Sequence, residues 1–351
     1  MARATVPRPT SGVDRTEVPA VDSSGPGPAP AVEVASLVKR YGEVEAVGGI
    51  SFSVPPGEVF AFLGPNGAGK TTTIKMLCTL ARPSGGWARV GGFDIEHQPT
   101  AVRRHIGLVF QEQTLDDQLT AEENLRFHAV LYHVPHDQIG PRIDRVLALV
   151  ALEDRRHDLV STFSGGMARR LEIARGILHT PAVLFLDEPT VGLDPQTRTL
   201  MWEDVLRMRD EEGVTIFLTT HYMDEAEHAD RIAIIDHGAI VALDTPDALK
   251  HQAGQDSVEL RTADDTVARD RLASAGFDVR QGDEALVVFT SDGEARVPEL
   301  IATAGVAVRN VHVHRPTLDD VFLHYTGRQI REDHAERSTS GRMRAFASRR
   351  R

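Results

Sequence analysis

Gly64-Pro65-Asn66-Gly67-Ala68-Gly69-Lys70-Thr71-Thr72 has the residue types and spacing that hold a polyphosphate. It fits G-x-x-x-x-G-K-[ST]. The glycines let backbone N–H groups turn inward around phosphate oxygens, where a Cβ would clash. Lys70 adds a fixed positive charge at the β/γ-phosphates, and the Thr71 hydroxyl suits Mg²⁺. Thr72 lies one step on, where its N–H and hydroxyl reach towards the α-phosphate. Before the loop, Glu58 to Leu63 reads as a buried strand. After it, Ile74, Leu77 and Cys78 have helical spacing. A loop that feeds a helix N-terminus is a ready anion site. The expectation is a nucleoside triphosphate with Mg²⁺.

A second group of residues offers hydrolytic chemistry. The apolar run Ala182 to Leu186 ends in Asp187-Glu188. At the centre of a parallel sheet, such a strand delivers its C-terminal end to the ligand. Asp187 would hold Mg²⁺ through water, and Glu188 would orient and deprotonate the attacking water. Gly192-Leu193-Asp194-Pro195 is a turn with one placed carboxylate. The strand Thr215 to Thr220 ends at His221, whose imidazole is placed for a γ-phosphate oxygen. Ser164-Gly165-Gly166-Met167 opens a strong helix and offers N–H groups, a hydroxyl and the positive end of a dipole. Taken alone, it reads more readily as an N-cap without a ligand. For Tyr41, stacking on adenine and an ordinary strand-end tyrosine both stand open.

These residues need an α/β scaffold. Residues 1–31 are rich in Pro, Gly, Ser and Ala without periodicity and read as a disordered leader. Val32 to Leu37 and Ile50 to Val54 read as strands, with a turn at Lys39 to Gly42. Ile106 to Phe110 reads as a buried strand ending at Gln111. Thr120-Ala121-Glu122-Glu123 is a capping box that opens a helix. With the helix after it, this block breaks the β–α alternation, so residues 112–180 are expected to form an inserted helical subdomain. His128, His133 and His136 fit a solvated helix face. The main α/β unit is expected over 32–250. Residues 256–327 run β-α-β, β-α-β, the order of a small ferredoxin-like domain. Residues 328–351 read as a basic disordered tail.

Composition narrows the class. The 351 residues are 41% hydrophobic and only 5% aromatic, as in a soluble α/β protein. No apolar run approaches a bilayer span, and no signal core opens the chain, so a cytoplasmic protein is expected. The net charge of −12 argues against a protein held on nucleic acid by phosphate contacts. The single Cys78 forms no internal disulfide and is read as a core thiol.

From Val32 to Leu243 the order of these features resembles the ATP-binding cassette family. Tyr41 looks like the A-loop aromatic and residues 64–72 like Walker A. Gln111 resembles the Q-loop glutamine, Phe163 to Met167 the signature motif and Asp187-Glu188 Walker B. Asp194 resembles the D-loop aspartate and His221 the switch histidine. The signature reads Phe-Ser-Gly-Gly-Met, and Met167 lacks the hydrogen bonds of the commoner glutamine. Residues 164–172, 113–120 and 316–323 are similar to the daunorubicin/doxorubicin-resistance type of exporter ATPase.

The resemblance implies a P-loop NTPase core: a RecA-like parallel sheet, an antiparallel β subdomain and the helical insert. It implies ATP and Mg²⁺, with Thr71, Gln111 and Asp187 around the metal. It implies catalysis by Glu188, His221, Lys70 and Gln111. Two cassettes would pair head-to-tail as a homodimer, with Ser164, Gly165 and Gly166 meeting the partner's γ-phosphate. The ATPase would sit on the inner membrane face under a separately encoded permease and power export of antibiotic-like or lipid-linked cargo. The rival expectation is a non-transport cassette of DNA repair or translation.

Overall fold

The computed structural model describes residues 29–282 and 285–327. Nearly all of the expected leader and the whole basic tail therefore lie outside the described residues.

Three sheets organise the chain. The first is antiparallel, in the order β2-β1-β4-β5: β1 (Val32–Tyr41), β2 (Val44–Val54), β4 (Gly85–Val90) and β5 (Phe93–Asp94). β1 runs further than expected. Residues Lys39 to Tyr41 continue the strand, and Tyr41 pairs with Val44 across a Gly42-Glu43 link. The left-handed Gly42, with φ 58°, makes that tight reversal. β2 also starts earlier than the apolar alternation suggests. Gly48 and Gly49 mask the pattern, but cross-strand pairing holds them in register.

The second sheet carries β3 (Val59–Leu63), β6 (Ile106–Val109), β7 (Val183–Asp187), β8 (Thr215–Thr220), β9 (Arg231–Asp236) and β10 (Ala239–Asp244). Its order is β10-β9-β3-β8-β7-β6. β3, β6, β7, β8 and β9 pair in parallel, and β10 closes the edge as an antiparallel hairpin. Strict alternation builds two cores. Val59, Ala61 and Leu63 face one way, with Leu184, Leu186, Ile216 and Leu218. Phe60, Phe62, Phe185 and Phe217 face the other and meet Phe52 of the first sheet. The Phe52 and Phe60 rings stack at 5.3 Å. Each such ring stabilises the layer by roughly 2–3 kcal/mol through burial.

Around the parallel sheet lie α1 (Lys70–Leu77), α2 (Pro99–His105), α6 (Pro195–Glu212), α7 (Met223–Ala226) and α8 (Pro246–Ala253). Between β6 and β7 come α3 (Ala121–Leu131), α4 (His136–Leu149) and α5 (Gly165–Ile177). The capping box at Thr120 forms, with reciprocal bonds between Thr120 and Glu123. His128 is not on a solvated face. It is half-buried against Tyr132 and His179, and burial pushes its imidazole down to about 3.

The third sheet belongs to the C-terminal region: β11 (Asp256–Thr262), α9 (Asp265–Ser274), β12 (Asp278–Gln281), β13 (Leu286–Thr290), α10 (Gly293–Ala304) and β14 (Val308–His314). Its order β12-β13-β11-β14 is wholly antiparallel, which is the ferredoxin-like arrangement. Its core is its own, centred on Val258, Leu260, Leu286, Val288 and Leu300. The last helix, α11 (Leu318–Thr326), leaves that core. Leu318, Val321 and Phe322 are buried with Leu249 of α8 in the core of the parallel sheet's outer face. Tyr325 Oη donates to Gln252 Oε1 at 2.6 Å, in the same direction.

Candidate active site: a phosphate loop beneath two carboxylates

The phosphate loop links β3 to α1, as the two flanking patterns imply. Gly69 caps α1 with φ 110°, and a Cβ there would lie 2.6 Å from Ala46 O. Only glycine meets both demands. The loop and its helix end form a cavity of about 140 Å³ lined by Ala46, Asn66, Gly67, Lys70, Thr72 and Glu188, among others. Gly69 and Thr71 line it too.

Lys70 is buried. Its Nζ donates to Gly64 O at 2.7 Å and Pro65 O at 3.2 Å, and pairs with Glu188 Oε1 at 3.2 Å. Burial pulls the ammonium below its usual range, and Glu188 opposes that pull. The same Glu188 oxygen lies 3.4 Å from His221 Nδ1. Burial pushes the Glu188 carboxyl up, but His221 and Lys70 together hold it below the usual carboxylate range. It is therefore ionised at neutral pH and competent as a base. Its backbone is left-handed, φ 46°, a conformation that a non-glycine residue pays for. The bond from Glu188 N to Thr219 O at 3.1 Å helps to hold it there.

Asp187 ends β7 beside β8. Its Oδ1 accepts from Thr219 Oγ1 at 2.6 Å and from Thr71 Oγ1 at 3.2 Å. The loop hydroxyl and the acidic strand end thus meet across 116 residues of sequence. Two hard oxygen donors at this separation, beside a phosphate cradle, fit Mg²⁺ with water completing its shell.

Six expected residues lie elsewhere. Ser164 and Gly165 are exposed, and neither they nor Gly166 line the phosphate cavity. Ser164 Oγ caps α5 by accepting from Met167 N at 3.2 Å. Gly166 packs on α6, where a Cβ would meet Thr197 Cγ2 at 2.3 Å. Asp194 caps α6. It accepts from Thr197 N at 3.0 Å and Thr197 Oγ1 at 2.6 Å, and these bonds hold its carboxyl low. The signature corner and the Asp194 turn are thus neighbours through Thr197. Gln111 is exposed beyond β6 and does not line the cavity. Tyr41 is exposed at the end of β1, with the Lys39 ammonium 4.8 Å from its ring. It too lies outside the cavity lining, although Ala46 of the same hairpin is inside it.

Two residues escaped the sequence reading. Arg169 and Glu225 are both almost fully buried next to the site. Burial pushes the Glu225 carboxyl up to about 7, against Thr220 and Arg198. Neither residue sits in a spacing that marks it. Glu225 stands among other polar residues, Asp224, Glu227 and His228, so its sequence context gave no signal.

A parallel sheet with a phosphate loop, two carboxylates and a histidine at its C-terminal edge is a nucleotide-hydrolysing design. Residues 47–191 match the ABC transporter family model, and residues 245–326 match the C-terminal domain of DrrA1-3-like ATP-binding proteins. The daunorubicin/doxorubicin resistance ATP-binding protein of Streptomyces peucetius is 42% identical over 310 residues, 86% of this chain and 93% of that protein.

The chain belongs to the ABC transporter ATP-binding family.

Another relative is the Nod factor export ATP-binding protein I of Ralstonia nicotianae, 40% identical over 88% of this chain and 97% of that protein. Among solved structures, a Clostridium perfringens subunit described as part of an ABC transporter complex aligns with TM-score 0.60 and 29% identity. It covers 63% of this chain and 90% of that chain. A dimeric ATP-binding cassette in a post-hydrolysis state, bound to ADP and Pi, aligns with TM-score 0.55 and 25% identity. It covers 61% of this chain and 98% of that one. As an ABC ATPase the chain binds ATP and hydrolyses it.

Proposed function

We propose that this ABC ATPase drives an exporter by closing and reopening a head-to-tail pair of its own copies. The observation that carries the reading is the separation of its two anion sites. Lys70, Thr71 and Glu188 line one cavity, with Asp187 bonded to Thr71 and His221 beside Glu188, while Ser164 and Gly166 open α5 outside it. An exposed helix N-terminus with a serine hydroxyl at its corner suits the terminal phosphate of a neighbouring copy.

In this reading ATP phosphates lie along residues 64–72 and compete with Glu188 for the Lys70 ammonium. Thr71 and Asp187 would hold Mg²⁺, which when bound neutralises charge on the β/γ oxygens. Glu188 Oε1 accepts the proton of the attacking water. His221, on the other side of that oxygen, keeps the carboxylate aimed and can meet a γ-phosphate oxygen. Loss of the γ-phosphoryl group removes the anion that bridges the copies, and they part. Tyr41 offers a ring for adenine from the hairpin that also supplies Ala46.

The permease surface is assigned to the helical subdomain. Phe127, Val130 and Leu131 are exposed on α3. Leu119, Phe127 and Leu131 also line a small cavity with Thr114 and Arg175. Among the described residues no helix is long and apolar enough to cross a membrane; in this reading a separate permease supplies the translocation path. The ATPase would thus work at the inner face of the membrane. The relatives' names point to amphiphilic cargo of the antibiotic or lipid-linked kind. Inverted vesicles holding this chain with a co-expressed multi-span partner test the reading. ATP-dependent uptake of a fluorescent anthracycline, lost in Glu188→Gln, supports it. ATP turnover without movement of anthracyclines or lipid-linked saccharides overturns the cargo assignment.

A further inference from the structure

The guanidinium of Arg169 touches three parts of the chain at once. Nε donates to Pro189 O at 2.7 Å, one residue after the base Glu188. Nη1 donates to Phe110 O, one residue before Gln111, and to Glu172 Oε2 at 3.0 Å. Arg169 itself lies on α5, five positions after Ser164. Glu172 extends the cluster. Its Oε1 accepts from Thr114 N at 2.6 Å and from Thr114 Oγ1 at 3.0 Å. Arg175 Nη1 closes it on Thr114 O at 3.0 Å. Arg169 is 7% exposed and Glu172 2%, so this is an interior polar network rather than a surface pair.

An arginine fork is suited to this task because it presents several donors in one rigid plane. Two of its acceptors are main-chain oxygens, and they sit on the segments that carry Gln111 and Glu188. Interior apolar packing would glue α5 to the sheet without choosing where either segment lies. Directed hydrogen bonds to those carbonyls do choose. The helix that bears the arginine begins at the corner assigned to the neighbour's phosphate. An anion there acts on the N-terminus of α5, and a shift of that helix reaches Phe110 and Pro189 within one and a half turns.

We propose that Arg169 is a positioning residue that links the two ATP sites of the dimer. Through it, occupation of the Ser164 corner by the partner's nucleotide sets Gln111 and Glu188 of the same chain. The proposal rests on the head-to-tail reading above. It adds that the two sites cooperate through α5 and names the side chain that carries the coupling. Glu172 and Arg175 hold the far end of the 110–114 segment so that it moves as one piece.

The test compares full-length parent, Arg169→Lys and Arg169→Gln. Lysine keeps the charge but offers one nitrogen centre to three acceptors. The measurements are ATP turnover as a function of concentration, equilibrium binding of a fluorescent ATP analogue, and the thermal midpoint. In Arg169→Lys, kcat is expected to fall at least ~10-fold and the Hill coefficient to move to about 1, with analogue affinity changed less than ~3-fold. Turnover and Hill coefficient within about twofold of the parent overturn the proposal. So does a loss of turnover matched by an equal loss of analogue binding, which marks a merely structural role. Should Arg169→Gln fail to fold, the lysine variant carries the decision. ATP-dependent dimerisation of Glu188→Gln separates the two levels. If that dimer forms and Arg169→Lys behaves as the parent, only this inference fails. If no dimer forms, the head-to-tail reading fails and this proposal with it.

Discussion

As the proposed base, Glu188 carries two opposed demands. It must be ionised to accept a proton, yet it is nearly buried. Lys70 and His221 resolve this by facing the same oxygen. Glu188→Gln keeps the shape and removes the basic oxygen. Turnover is expected to fall at least ~10²-fold while ATP stays bound, as read by single-turnover kinetics and analogue binding. Near-parent turnover would remove Glu188 from the role of base. Glu225 makes a different prediction. Its carboxyl is raised from 4.5 to about 7, so between those values the folded chain keeps a proton that the unfolded chain releases. Its contribution to stability therefore declines as pH rises from 4.5 to 7, by about 3 kcal/mol in all. Burial is the main cause; Thr220 and Arg198 oppose it, and Asp224 and Glu188 add to it. Urea unfolding of the parent against Glu225→Gln should show a stability difference that drifts across this window in favour of the amide. A difference that is flat with pH contradicts the account.

At the scale of elements, much was legible because it is local. The phosphate loop, the capping box at Thr120 and the acidic end of β7 each depend on residues within a few positions of one another. The ferredoxin-like order was legible from alternation alone. What the sequence hid depends on distant partners. β1 continues to Tyr41 because β2 pairs with it, although Lys39 to Gly42 looks like a turn. His128 lies among polar residues in sequence, but Tyr132 and His179 bury it. Arg169 and Glu172 look like an ordinary helical ion pair until Phe110, Thr114 and Pro189 arrive from elsewhere. The path of α11 was hidden in the same way. Its apolar face could serve the C-terminal sheet as well as α8, and only the assembled structure shows the latter. Phe322 is 1% exposed in that contact. Phe322→Ala is expected to cost about 3–5 kcal/mol, seen as a lower urea midpoint for the cassette transition. A cost below about 1 kcal/mol would mean that α11 contributes little to holding the two regions together.

At the scale of the whole molecule, the groups proposed for catalysis gather on one edge while the exposed Ser164 corner, the proposed second anion site, lies apart from them. Neither composition nor charge foretells that division, and in the proposed reading it is what two copies would pair to bridge. In the proposed reading the pair is also what turns ATP hydrolysis into movement, since closing two copies would move the α3 surfaces that a permease would rest on. The decisive measurement is light scattering on Glu188→Gln with and without ATP, alone and combined with Ser164→Asp. Aspartate caps α5 as well as serine does but sets a negative charge where the neighbour's phosphate should lie. The account predicts an ATP-dependent doubling of the 38.4 kDa chain mass in Glu188→Gln, and no doubling once Ser164→Asp is added, with ATP still bound. A dimer that survives Ser164→Asp, or a Glu188→Gln chain that stays single with ATP bound, would contradict it.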